Sequence, residues 1–332
     1  MFLNPAILAL FIISITCTLL IVLASVFALQ VVRYWDINSG HGRQLLLERR
    51  TYLISTMLTF CFGAELFGLL LLILAAESLS GQFVGAMCAT GVLNVNAYGW
   101  WLLFVKIALF FFGSSWLIVN ALDNRAIDYP LTRVKYLFLL FLLPLVVTES
   151  TLLMLYIVNL SPDLITSCCG SLFSATGSGV AAEVSAITAE QAKNGLMVSG
   201  VALFLSGVFF IKSGKGALLY SLISIVAYVL ALLAMVSLVG LYVYEHPHHH
   251  CPFCVLKGGY GFAGYLLYIP LFAATAMGIS VLVVQLCRNV RSLRDIAPGM
   301  AHHLAGTSLF LFLTFYALAG LLIWRSHLVL AF

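Results

Sequence analysis

Apolar residues fall along this chain in eight long runs, near 5–32, 52–76, 99–122, 136–160, 195–211, 217–243, 261–287 and 305–324. Roughly 20 apolar residues carry a helix across the hydrocarbon core. Each run therefore predicts a membrane-spanning helix, and together they predict an all-α polytopic bundle. No soluble domain separates from this pattern, so residues 1–332 read as a single integral membrane domain. The longest connection, 161–194, is rich in Ser, Ala, Gly and Thr and carries no helical or strand period. Pro144 and Pro270 fall inside the fourth and seventh runs and predict kinks. In the seventh, Ala274 and Gly278 are spaced for a close helix contact.

Polar residues between the runs set the orientation. Arg33, Arg43, Arg49, Arg50, Arg125, Arg133, Lys135, Lys212, Lys215, Arg288, Arg291 and Arg294 all lie in odd-numbered connections, against Lys193, Lys257 and Arg325 on the other side. The positive-inside rule then places both termini outside and the segments 77–98, 161–194 and 244–260 on the extracytoplasmic face. The first run is too long for a signal peptide and has no positive residue before it, so it is expected to be retained. The expected location is a cell membrane of the bacterial inner-membrane type.

Composition agrees with this pattern: 63% of the 332 residues are hydrophobic and 8% charged, with a mean hydropathy of +1.10. Soluble domains carry about 25% charged residues. The 16 Lys and Arg against 12 Asp and Glu never gather into a basic face, which argues against nucleic acid as a partner. No phosphate-binding loop or soluble hydrolase triad is present.

Cysteines change the picture most. Cys88, Cys168, Cys169, Cys251 and Cys254 all fall in outward segments, where thiols meet an oxidising compartment and tend to pair. Cys17 and Cys61 sit within spans and Cys287 at the inner end of the seventh, positions where a thiol packs as a small hydrophobe. The densest motif is His246-Pro247-His248-His249-His250-Cys251-Pro252-Phe253-Cys254-Val255-Leu256. Two cysteines two residues apart form a readily exchanged disulfide, and a helix starting nearby would lower the thiol pKa through its dipole. A plain structural staple is the alternative. Val255 after Cys254 excludes c-type haem attachment. In Ser167-Cys168-Cys169-Gly170 a bridge between neighbours is strained, so one thiol is expected to pair elsewhere. Glycines around Cys88 in Gly85-Ala86-Met87-Cys88-Ala89-Thr90-Gly91 suggest an irregular or re-entrant segment.

The stretch Cys251-Pro252-Phe253-Cys254-Val255-Leu256 resembles the Cys-Pro-Leu-Cys-Ile-Tyr stretch of DsbB-type disulfide-generating membrane proteins. Its place at the outer mouth of a helix is similar to the vitamin K epoxide reductase family. The resemblance covers about a dozen residues; both families have a smaller helical core, and the arginine following the DsbB motif is absent here, Lys257 being the nearest basic residue. It implies that Cys251 and Cys254 pass electrons to a quinone while a second outward pair, Cys88 with Cys168 or Cys169, exchanges disulfides with a soluble thioredoxin-like protein.

Three ionisable residues interrupt the apolar runs: Glu65, Lys106 and Glu149. An intramembrane charge is a functional hypothesis by default. From helical rise, Lys106 is expected roughly 10 Å and the two carboxylates roughly 16–18 Å below the outer helix ends. Lys106 could thus pair with one carboxylate beneath the cysteine segments and leave the other to carry a proton, or simply fix helix packing.

Three functions compete. The first is a membrane thiol–disulfide oxidoreductase. In the second, His246, His248, His249 and His250 join Cys251 and Cys254 in binding copper or zinc, the ions that imidazole and thiolate favour. The third is a non-catalytic anchor or assembly subunit for other membrane subunits, with disulfides holding its outer segments.

Overall fold

The computed structural model describes residues 4–37, 39, 42–161 and 187–328, and it is all-helical there. Among the described residues, eight helices are long and apolar enough to cross a membrane: Pro5–Tyr34, Gly42–Gln82, Tyr98–Asp123, Thr132–Val158, Ala189–Ser213, Ala217–Tyr244, Ala263–Asn289 and Ile296–Arg325. Each coincides with one apolar run of the sequence. In residue order the α-helices are α1 (Pro5–Tyr34), α2 (Gly42–Leu79), α3 (Ala89–Leu93), α4 (Gly99–Asp123), α5 (Thr132–Val158), α6 (Ala189–Ser213), α7 (Ala217–Ala234), α8 (Gly240–Tyr244), α9 (Ala263–Leu286) and α10 (Ile296–Arg325).

Two helices start well before their apolar runs. The start of α2 is polar: the Gln44 side chain donates from Nε2 to Glu48 Oε1 at 2.9 Å and accepts on its Oε1 from the Asp36 amide at 3.2 Å, tying down the turn after α1. The first turn of α10 contains Pro298, which a helix tolerates there because its missing amide would be unbonded anyway. Pro144 and Pro270 lie inside α5 and α9, both continuous.

Burial on these helices is inverted relative to a water-soluble protein. On α2, Phe60 and Phe67 are 75% and 71% exposed while Glu65 is 2% exposed. Hydrocarbon makes no demand that apolar side chains hide, whereas it strongly penalises an uncovered polar one.

The chain divides into two compact units. The first comprises Met1–Ala76, Val95–Ser161 and Leu286–Met300, and the second Glu77–Asn94, Pro162–Gln285 and Ala301–Phe332. In the first, α5 packs against α1 and α4, around Phe62, Trp116, Tyr136, Leu139 and Val146. The rings of Phe62 and Trp116 lie 4.9 Å apart. One basic residue assigned by sequence to a connection, Lys135, belongs to α5 and is buried. Its ammonium lies 2.7 Å from Asp123 Oδ2 and donates to Asn120 Oδ1 at 3.1 Å. Asp123 also accepts from the Leu131 amide at 2.7 Å, so this charged pair is wrapped in hydrogen bonds.

In the second unit α6 packs along α7. Here the small-residue spacing in α9 is used: a Cβ on Gly278 would lie 2.6 Å from Ser224 Oγ and 3.1 Å from Ser308 Oγ. Backbones approach closely at this point, and Ser221 donates to the Gly278 carbonyl at 2.7 Å. Between α7 and α8 the helix widens into a π turn at Met235–Val239.

Candidate functional site

The second unit brings three cysteines together. Cys88 caps the N-terminus of α3, Cys251 lies in the segment after α8, and Cys254 opens a one-turn 3-10 helix, Cys254–Leu256. Their sulfurs lie within 4.8 Å of one another, and all three residues are buried. Cys88 Sγ and Cys251 Sγ are 3.3 Å apart, well beyond the ~2.05 Å of a disulfide, so they meet as thiols. Thr90 Oγ1 is also 3.3 Å from Cys251 Sγ. Cys88 was expected to face Cys168 or Cys169; those two residues lie outside the described residues, and what the fold sets beside Cys88 is the Cys-x-x-Cys pair.

Local chemistry explains how such distant segments are held. Glu77, at the end of α2, accepts from the Ala89 amide at 2.9 Å and lies 3.4 Å from Lys257 Nζ. Lys257 in turn donates to the Met87 carbonyl. One ion pair therefore clasps the residues beside Cys88 to those beside Cys254. From α8, Tyr244 donates to the Cys251 carbonyl at 2.6 Å, and from α9, Tyr268 donates to the Pro252 carbonyl at 2.8 Å. Gly264 completes the fit: a Cβ there would lie 2.6 Å from Leu256 Cδ2 and 2.8 Å from Val255 Cγ1, so the segment after Cys254 rests directly on the α9 backbone.

The expectation that a helix start flanks the Cys-x-x-Cys pair is corrected. The spanning helix α9 begins only at Ala263, because Gly258, Gly259 and Gly261 break the chain into short turns, with Gly261 at φ 64°. Among the described residues, no long helix begins at these thiols.

The four histidines are placed differently from the cysteines. None of His246, His248, His249 and His250 belongs to the group of ligand atoms formed by Cys88, Cys251 and Cys254. His246 and His248 are exposed. His249 packs edge-on against Tyr244, with centroids 4.4 Å apart. His250 Nδ1 lies 3.3 Å from the Val236 carbonyl of the π turn. Burial, aided by His248 and His249 nearby, holds the His250 imidazole below its ordinary pKa. The donor set available to a metal is thus three sulfurs, a soft set suited to copper(I) and one ligand short of the tetrahedral shell that structural zinc takes.

The first unit holds the intramembrane charges. Sequence suggested that Lys106 would choose one carboxylate; it takes both, with Nζ 2.8 Å from Glu65 Oε2 and 2.9 Å from Glu149 Oε1. All three side chains are at most 1% exposed. Ser14 donates to Glu149 Oε2 at 2.8 Å, and the Oε1 atoms of both Glu65 and Glu149 are buried with no hydrogen-bond partner. Nearby, Cys17 donates to the Cys61 carbonyl at 3.6 Å, in keeping with a packing role.

Glu77, Thr90, Tyr244 and Tyr268 were not singled out from sequence. Only Glu77 left a signal, an acidic residue at the end of an apolar run. Comparison with protein-family models, with curated proteins and with solved structures finds no match to this chain.

Proposed function

We propose that this is a membrane thiol–disulfide oxidoreductase whose working centre is Cys88, Cys251 and Cys254. The observation that carries the reading is the 3.3 Å approach of Cys88 Sγ to Cys251 Sγ with Cys254 in the same buried group. Starting from a Cys251–Cys254 disulfide, attack by the Cys88 thiolate on Cys251 forms a Cys88–Cys251 bond and releases Cys254 as thiolate, which takes up the proton lost by Cys88. Once a substrate dithiol has reduced the bridge, becoming a disulfide itself, oxidising two of the three thiols back to a disulfide yields two electrons and two protons, which a membrane quinone can accept. Thiols buried this deeply are out of a soluble protein's reach. Exchange with a thioredoxin-like partner is therefore assigned to Cys168 or Cys169, in the long outward segment.

The proposed orientation puts the thiol centre on the extracytoplasmic side of a bacterial inner membrane, on the strength of the basic residues between spans. Reporter fusions at residue 332 are expected to be active only when the reporter works outside the cytoplasm; a cytoplasm-dependent reporter active there contradicts it.

Alkylation followed by mass mapping tests the chemistry. Purified protein treated with oxidised quinone is expected to yield both Cys251–Cys254 and Cys88–Cys251 bridges, and Cys254→Ser to accumulate the second. All three remaining thiols after that treatment would end the redox reading.

A second reading is favoured by one observation, the convergence of three sulfur donors within 4.8 Å. In it the cluster is a copper or zinc site. Stoichiometric metal lost on Cys88→Ala, together with no quinone-dependent disulfide, would support it.

A further inference from the structure

We propose that Glu65, Lys106 and Glu149 form a site that binds one exchangeable proton. The inference is independent of the thiol chemistry, since it rests on the first unit alone.

Charge counting carries it. Two carboxylates around one ammonium leave a net negative charge, and at 1% exposure or less no water is at hand to offset it. An uncompensated buried charge is strongly unfavourable, and a single proton on one carboxyl makes the cluster neutral. The hydrogen bonds agree with this count. Glu149 Oε2 accepts from Ser14 and Glu65 Oε2 from Lys106, while the Oε1 atoms of both glutamates are buried with no hydrogen-bond partner, Glu149 Oε1 lying 2.9 Å from Lys106 Nζ. An orphaned oxygen is tolerated far better on a neutral acid than on a carboxylate. The proton is therefore placed on the carboxyl pair.

The surroundings fit. The other titratable side chains facing the cluster are the thiols of Cys17 on α1 and Cys61 on α2, while α4 and α5 present Lys106 and Glu149 themselves. Gly68 makes the room, because a Cβ there would stand 2.9 Å from Lys106 Nζ. Ser14, on α1, is itself buried, and its Oγ lies 3.3 Å from the half-buried Ser150 Oγ.

Infrared spectroscopy of protein carrying isotope-labelled glutamate tests this without reference to thiols or quinone. At neutral pH the wild type is expected to show the C=O stretch of one protonated carboxylic acid, moving on transfer to heavy water. Either Glu65→Gln or Glu149→Gln should abolish the band, because one carboxylate then balances Lys106. Lys106→Gln should instead strengthen it about twofold, since two carboxyls are left with no cation. Absence of the band in wild-type protein, or its survival in both glutamine variants, overturns the site.

Discussion

Cys251→Ala is expected to reduce quinone-dependent thiol oxidation to background, a loss of at least about a hundredfold, as for removal of a reacting nucleophile. The reason is positional. Cys251 belongs to the Cys-x-x-Cys pair and also approaches Cys88 to 3.3 Å, so both proposed bridges pass through its sulfur. Cys254→Ala should behave differently. It leaves the Cys88 and Cys251 thiols together and is expected to trap that bridge after one oxidation, giving a single turnover. The fold should survive both changes, since the clasp of Glu77 and Lys257 and the hydroxyl of Tyr244 on the Cys251 carbonyl hold the segment through other groups. The measurement is quinone reduction by the dithiol form in liposomes, with bridges mapped at each turnover. Wild-type rates in Cys251→Ala would remove the proposed centre.

Lys106→Leu is the second large effect, and it falls on stability. Removing the ammonium leaves Glu65 and Glu149 buried without their shared partner, and breaking a buried ion pair from one side costs about 3–5 kcal/mol. Replacing Lys106, Glu65 and Glu149 together by Leu should recover most of that loss, because apolar groups of similar volume often match or exceed the stability of a buried charged set. Thermal unfolding in detergent checks both steps. Stability unchanged in Lys106→Leu would contradict the geometry in which one ammonium serves two carboxylates. If the set is there only for packing, the triple variant should also keep full activity; a folded, inactive triple variant supports a role in proton movement.

Much of this was legible in the sequence for one physical reason: hydrocarbon forces a long apolar run on every spanning helix, so eight runs give eight helices. The same contrast exposed Glu65, Lys106 and Glu149 as polar exceptions. What it could not supply was pairing across the chain. Cys88 and Cys251 are 163 residues apart, and no local periodicity connects them. Likewise Lys257 stood out only as the nearest basic residue to a motif that lacks its arginine, while its contacts with Glu77 and Met87 make it a clasp. Lys135 was counted among the cytoplasmic charges because it adjoins Arg133, yet it turns inward to Asp123, a partner on the preceding helix. Hydropathy also measures lipid crossing and not helix length, which is why the polar start of α2 and the Pro298 turn of α10 went unseen.

The π turn at Met235–Val239 sets the phase of everything that follows it. A π turn spends one residue more than a regular helix needs, and one residue is about 100° of rotation. Tyr244 reaches the Cys251 carbonyl from the helix end beyond this extra residue. The spanning part of α7 can thus present one face to its neighbours while the helix end beyond the π turn presents another to the thiols. Chain length, counted residue by residue between Ala234 and Tyr244, acts here as the dial that aims a hydroxyl.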